Sequence, residues 1–152
     1  MIPFRSPAEI VDRLELPSAT RALLVSAPPE LSAIVAGDSA PPVPIEATAA
    51  EAIRSVKDRF DFILLWQEDR VGSRANLAAA VKRLSPGGRL WIVTALRKVQ
   101  GPRTPAVHRL GLEDLQKAFA KDGLVCDREV RVSAWHTAYR FVRPNPGGRG
   151  ER

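Results

Sequence analysis

The sequence has few of the residues on which several classes of protein depend. It contains one cysteine and two histidines among 152 residues, which excludes an internal disulfide and leaves Cys126 without neighbours at zinc-ligand spacing. No apolar run approaches the roughly 18 residues of a membrane-spanning helix. The first residues also lack the continuous apolar segment of a signal peptide. We therefore expect a soluble, cytoplasmic protein without a metal site or a membrane-embedded part.

Acidic residues are fewer than basic ones, 17 against 23, and the formal net charge is +6. Such an excess attracts nucleic acid or an acidic protein. The alternative is that abundant arginine, alanine and proline reflect base composition and that the charge is merely solvated. The hydrophobic fraction of 45% is that of an ordinary folded domain.

Short apolar runs alternate with helical patterns along most of the chain. A capping box at Ser6 and Glu9 predicts an amino-terminal helix at about residues 6–16. Strand-like runs and helical stripes then alternate up to a closing antiparallel hairpin. We predict one domain over residues 1–143. The segment 144–152 is rich in proline and glycine and predicts a disordered tail.

This alternation predicts an α/β fold with three layers and a mostly parallel sheet that ends in a C-terminal antiparallel strand. The segment FDFILLW, followed by LAAAVKRLSPGGRLWIV, resembles the fourth strand, helix and fifth strand of class I methyltransferases, which are Rossmann-like. The interval from Glu46 to Phe60 is too short for that family's third strand with two helices. The resemblance thus implies a reduced sheet with the order 2-1-4-5-7-6 in the family's strand numbering.

In class I methyltransferases a glycine-rich loop after the first strand lets the backbone approach the cofactor. Here LLVSAPPELSAIVAG has no glycine before Gly37, and Pro28 and Pro29 remove two amide donors. We therefore expect no cofactor, with S-adenosylmethionine as the alternative. In that case Glu46, at the predicted end of the second strand (Val43 to Glu46), would accept hydrogen bonds from the ribose, and Trp66 would stack on a planar ligand.

Other polar residues lie beyond predicted strand ends. Glu68 or Asp69 can accept a proton or a hydrogen bond, but they form no known catalytic motif, and we predict no catalytic residue. A basic loop follows the strand RLWIVTA, at the edge where ligands of open α/β sheets bind. It predicts a site for an anion, a nucleic acid or an acidic partner, with a solvated loop as the alternative. Its residues are Arg97, Lys98, Arg103, His108 and Arg109.

The chain also resembles, over about residues 21–143, an uncharacterised family of small bacterial proteins catalogued as a domain of unknown function. The resemblance implies a methyltransferase-like fold and carries over no catalytic residue. The matching segments are Leu64-Leu65-Trp66, Gly87-Gly88-Arg89-Leu90-Trp91 with Thr94, and Trp135 with Arg140-Phe141-Val142. The family's Trp-Ser-Gly segment is Trp135-His136-Thr137 here, and its Thr-Pro-Lys is Thr94-Ala95-Leu96.

Three functions follow from these patterns. The first is a non-catalytic binding or regulatory protein on a degenerate methyltransferase-like scaffold, which self-associates or contacts an anionic partner. The second is a divergent S-adenosylmethionine-dependent methyltransferase. The third is a nucleic-acid or ribosome-associated basic module that uses the basic loop and the arginine-rich tail.

Overall fold

The computed structural model describes residues 2–16, 21–36 and 45–144. Four α-helices and six strands alternate along these ranges, with short 3-10 turns at Ala50–Ser55, Ala106–His108 and Ala120–Asp122. The helices are α1 (Pro7–Arg13), α2 (Pro29–Ala36), α3 (Ser73–Lys82) and α4 (Leu112–Phe119). The strands are β1 (Ala22–Val25), β2 (Ile45–Thr48), β3 (Phe60–Trp66), β4 (Leu84–Ala95), β5 (Val125–Arg131) and β6 (His136–Val142).

The six strands form one sheet in the order β2-β1-β3-β4-β6-β5. β2, β1, β3 and β4 are parallel, whereas β6 is antiparallel to both β4 and β5. This order is the predicted 2-1-4-5-7-6 once the strands are renumbered without the family's third strand. The reduced, mostly parallel α/β fold is therefore confirmed.

Each face of the sheet has its own core. Residues of α3 and α4, including Leu77, Leu115 and Phe119, pack against one face of the central strands. Residues of α1 and α2, including Ile10 and Leu31, cover the other face. The strands between them are buried on both sides, which explains why β1 and β3 are nearly continuous apolar runs rather than alternating ones.

The amino-terminal helix is capped at its start and joined to the sheet beyond its end. The Ser6 hydroxyl accepts a hydrogen bond from the Glu9 amide and so caps α1. Beyond the helix, Glu15 has a left-handed backbone, with φ at 59°. Its carboxylate accepts hydrogen bonds from Arg128 and Arg140, which belong to β5 and β6. These bonds connect α1 to the antiparallel side of the sheet.

Some boundaries differ from the predicted ones. The second strand is Ile45–Thr48, so Glu46 is its second residue and Thr48 ends it. The predicted start of that strand, at Val43, lies outside the described residues, as does most of the predicted tail. The helix α3 ends at Lys82, and the backbone then turns at Gly87, with φ at 78°. No helix in the described ranges is both long and apolar enough to cross a bilayer.

Candidate functional site

The carboxyl ends of β1 and β3 form the part of the sheet where a ligand is expected. The chain leaves β1 toward β2 on one side and then returns to β3 on the other, which makes this edge a topological switch point. A cavity of about 490 Å³ lies there, a volume within the range of ligand sites. Its polar and aromatic lining comes from Glu30, Glu68, Arg103, Trp135 and His136.

The loop after β1 forms one wall of this cavity. Ser26, directly after β1, has a φ of 56°, a conformation that costs a non-glycine residue free energy. Pro28 and Pro29 line the cavity and carry no amide hydrogen. Hydrogen bonds to a ligand must therefore come largely from the other walls.

A buried hydrogen-bond network forms the opposite wall. His136 begins β6, is fully buried, and its Nε2 lies 2.7 Å from Glu68 Oε2. The Trp66 indole also donates to Oε2, at 3.2 Å, and the Thr104 hydroxyl donates to Oε1, at 3.1 Å. Glu68 follows β3, so the network joins the ends of two strands that are distant in sequence. The Glu68 side chain is 18% exposed.

On its other side the imidazole contacts Ser133. The Ser133 Oγ lies 2.9 Å from His136 Nδ1 and accepts a hydrogen bond from the Trp135 amide. If the serine hydroxyl donates to Nδ1 and Nε2–H donates to Glu68, a neutral ring satisfies every bond. A serine, a histidine and a glutamate in a row also occur in hydrolases. Ser133 is 0% exposed, however, so it orients the ring and is no accessible nucleophile.

The network keeps Glu68 ionised. The hydrogen bond from His136 lowers the pKa of the Glu68 carboxyl group below its ordinary value, and the bonds from Thr104 and Trp66 act in the same direction, whereas burial opposes them. A carboxyl group with a lowered pKa is a weak base but a persistent anion. Glu68 is therefore suited to hold a cation or an N–H donor at the cavity wall.

The lowered pKa predicts how stability depends on pH. A carboxyl group whose pKa is lower in the folded state stabilises the fold fully above its unfolded pKa, near 4.3. This contribution is lost as the pH falls through the folded-state pKa. We expect the difference in unfolding free energy between wild type and Glu68→Gln to shrink as the pH falls below about 4.3, as measured by urea denaturation.

The control is Asp12→Asn, which changes an exposed carboxylate. Its difference from the wild type should change less over the same pH range. An equal pH dependence for both variants would contradict the interpretation of the Glu68 network.

A buried arginine organises the loop between β4 and α4. Arg109 is 5% exposed, and its guanidinium donates to the main-chain carbonyls of Leu96, Arg97, Val99 and Thr104 at 2.6 to 3.1 Å. These bonds hold together the loop whose Gly101, Pro102 and Arg103 line the cavity. The Arg109 side chain is thus buried among carbonyls, and its predicted role toward an external anion stays a prediction.

The other residues of the predicted basic site are exposed. Arg97, Lys98, Arg103 and His108 all lie on the surface of this loop, and only Arg103 among them lines the cavity. Their anion-binding role stays a prediction.

The two predicted cofactor residues lie apart from each other. The Glu46 carboxylate is exposed and pairs with Arg21 at 2.8 Å, and Arg21 precedes β1. Trp66 packs between His136, at 4.5 Å between ring centroids, and Phe4, at 6.0 Å. Their roles toward a ligand stay predictions. The sequence did single out Glu68 as an acceptor, but nothing local connects it to His136, which lies 68 residues away.

Among the described residues, no group of three or more histidine, cysteine, aspartate or glutamate side chains is placed to hold a metal ion. No family model matches the sequence, and no curated protein matches it. The narrower bacterial family proposed from sequence motifs therefore stays a prediction.

Solved structures do match the fold. The mitomycin 7-O-methyltransferase MmcR is 14% identical with a TM-score of 0.70, and the match covers 91% of this chain and 53% of MmcR. A SAM-dependent methyltransferase from Aquifex aeolicus is 15% identical with a TM-score of 0.61, covering 91% and 89% of the two chains. The N-methyltransferase NodS from Bradyrhizobium japonicum WM9, in complex with S-adenosyl-L-homocysteine, is 18% identical with a TM-score of 0.56, covering 91% and 86%.

At these identities the comparisons establish a methyltransferase-like fold. This chain spans about half the length of MmcR, but most of the length of the other two proteins. The expectation of no cofactor is overturned by these matches, since the similar proteins include SAM-dependent methyltransferases and a complex with S-adenosyl-L-homocysteine.

Proposed function

We propose that this protein is a divergent S-adenosylmethionine-dependent methyltransferase whose cofactor binds in the cavity at the ends of β1 and β3. One observation carries the proposal: Glu68, an anion held by three donors, faces a cavity at the switch point of a methyltransferase-like sheet. In open α/β sheets this is the position at which ligands bind.

The side chains around the cavity fit the cofactor's chemistry. S-adenosylmethionine carries a sulfonium and an ammonium cation, a carboxylate, a ribose and an adenine ring. Glu30 and Glu68 can hold the cationic or hydroxyl groups, Arg103 can pair with the carboxylate, and the Trp135 indole can pack on the flat ring. The loop after β1 differs from a glycine-rich loop, so side chains replace amides as the main donors and acceptors.

When bound, S-adenosylmethionine would supply a methyl group from its positively charged sulfur to a nitrogen or oxygen of the acceptor, leaving S-adenosylhomocysteine and releasing the acceptor's proton to solvent. Glu68 would orient a donor group of the cofactor and stabilise its positive charge, while His136 and Thr104 hold the Glu68 carboxylate in place.

Isothermal titration calorimetry with S-adenosylhomocysteine tests the proposal. We expect binding by the wild type and a loss of at least about tenfold in affinity, about 1.4 kcal/mol, for Glu68→Ala. The matched control is Glu113→Ala, which removes an exposed carboxylate on α4 outside the cavity and should leave the affinity unchanged. Circular dichroism confirms that each variant is folded.

Glu46→Ala distinguishes two locations for the cofactor. A loss confined to Glu68→Ala supports the cavity described here. A loss confined to Glu46→Ala would place the ribose at β2 and overturn this location. If neither S-adenosylmethionine nor S-adenosylhomocysteine binds the wild type at millimolar concentration, the proposed function is wrong.

A further inference from the structure

A second cavity, of about 500 Å³, lies between α3 and α4 on the outer side of one helical layer. Four cationic side chains line it, and two carboxylates, Asp114 and Asp122, accompany them. Asp114 already accepts a hydrogen bond from the Gly111 amide. We call this cavity the basic groove, and its cations are Arg70, Arg74, Lys117 and Lys121.

Within the part of the chain that the structure describes, most cations of the basic groove have no carboxylate partner. Among the described residues no carboxylate lies within ion-pair distance of Arg74, Lys117 or Lys121. The arginines that do have carboxylate partners surround α1 or lie elsewhere on the sheet: Arg5, Arg13, Arg21, Arg89, Arg128 and Arg140. The four cations of the groove outnumber its two carboxylates, and this excess of positive charge favours an anionic ligand.

The basic groove continues into the basic loop. The Arg70 guanidinium donates to the carbonyl of Val107 at 3.0 Å, and its amide donates to the carbonyl of His108 at 2.7 Å. The same loop carries Arg103 to the wall of the candidate cofactor cavity. The same loop thus contacts the basic groove through Arg70 and lines the candidate cofactor cavity through Arg103.

The shape of the groove favours a phosphate backbone over an acidic peptide helix. Its apolar floor, formed by Leu77, Leu110 and Phe119, is at most 2% exposed. An amphipathic helix would need exposed apolar side chains to pack against, and this floor offers almost none. Separate lysine and arginine side chains instead suit a strand of repeated single charges, which is held by the release of counterions.

We infer that the methyl acceptor is a nucleic-acid strand whose phosphates bind along the basic groove and basic loop, with a base presented to the cofactor cavity. This inference rests on the proposed function and adds its substrate class. Enzymes that modify a base must take it out of the stack, and the basic loop, which lines the cavity through Arg103, would bring such a base to the cofactor.

Fluorescence anisotropy with labelled mixed-sequence oligonucleotides, one DNA and one RNA, tests the inference over a range of salt concentrations. We expect Lys117→Ala/Lys121→Ala to weaken binding about tenfold and to reduce the salt slope by about 1.4, since each neutralised phosphate of a single strand contributes about 0.7. The control is Lys57→Ala/Lys82→Ala. It removes the same charge from exposed positions outside the groove and should have little effect.

The other outcomes are equally informative. Equal losses for the two double variants would overturn the groove as the site, because only net charge would then matter. Binding of polyglutamate in place of the oligonucleotides would overturn the substrate class. Calorimetry with S-adenosylhomocysteine on the same protein separates the two proposals. Cofactor binding without oligonucleotide binding overturns the inference alone, whereas the reverse result overturns the proposed function together with the acceptor role.

Discussion

Arg109→Met is expected to lower the free energy of unfolding by about 3 kcal/mol. The substitution keeps much of the side-chain volume but removes the donors that bind the carbonyls of Leu96, Arg97, Val99 and Thr104. Buried carbonyls without partners are costly, and hydrogen bonds from a charged donor are stronger than neutral ones. Urea denaturation followed by circular dichroism measures the loss.

The matched control is Arg97→Met in the same loop, where the side chain is exposed. It should change the unfolding free energy by no more than about 0.5 kcal/mol. The loss of unfolding free energy for Arg109→Lys should lie between the losses for Arg109→Met and Arg97→Met, because an ammonium group cannot span the carbonyls that the planar guanidinium reaches. A loss as small as that of the control would show that the loop does not depend on Arg109.

Gly101→Ala is expected to weaken S-adenosylhomocysteine binding at least about tenfold and to reduce the unfolding free energy by about 2 kcal/mol. Gly101 has a φ of 130°, and an added Cβ would lie 2.3 Å from Cε2 of Trp135. The Trp135 backbone cannot easily yield, since its amide donates to Ser133 and its carbonyl accepts from Leu96. The Trp135 indole must therefore rotate, which changes the shape of the cavity wall.

Gly87→Ala separates backbone strain from the clash with Trp135. Gly87 also has a left-handed backbone, with φ at 78°, but an added Cβ there would meet nothing within 4 Å. Gly87→Ala should lower the unfolding free energy by about 1 kcal/mol and leave the affinity for S-adenosylhomocysteine unchanged. If both alanine variants weaken binding equally, the contact between Gly101 and Trp135 does not shape the site.

In the folded protein, the absence of glycines after β1 does not exclude a ligand. From sequence, Pro28 and Pro29 argued against any cofactor, because a glycine-rich loop supplies amide donors. The structure places both prolines at a cavity whose polar groups come mainly from the loops after β3 and β4 and from the start of β6. A loop without donors is compatible with a ligand that side chains hold from the other walls.

Part of the fold could be predicted from the sequence alone. The apolar runs of β1 and β3, the alternation with helices and the closing hairpin predict a mostly parallel sheet with an antiparallel end, because burial on both faces leaves a local pattern of side chains. The strand order was predicted only through the resemblance to class I methyltransferases. The sequence also predicted that the loop at residues 97–109 lies at the edge of the sheet where ligands bind. Its arginines, however, look alike in sequence, and burial alone distinguishes Arg109 from Arg97 and Arg103.

The site depends on tertiary structure. Glu68 and His136 are 68 residues apart and meet only because β6 lies beside β4, which lies beside β3. In the same way, the basic groove combines cations at and just before the start of α3 with cations from α4 and the turn that follows it. Local sequence patterns predict which residues are buried, since the spacing of apolar residues along a strand or helix indicates its buried face. Which polar groups come together is decided by the order of strands across the sheet, and no short stretch of sequence contains that order.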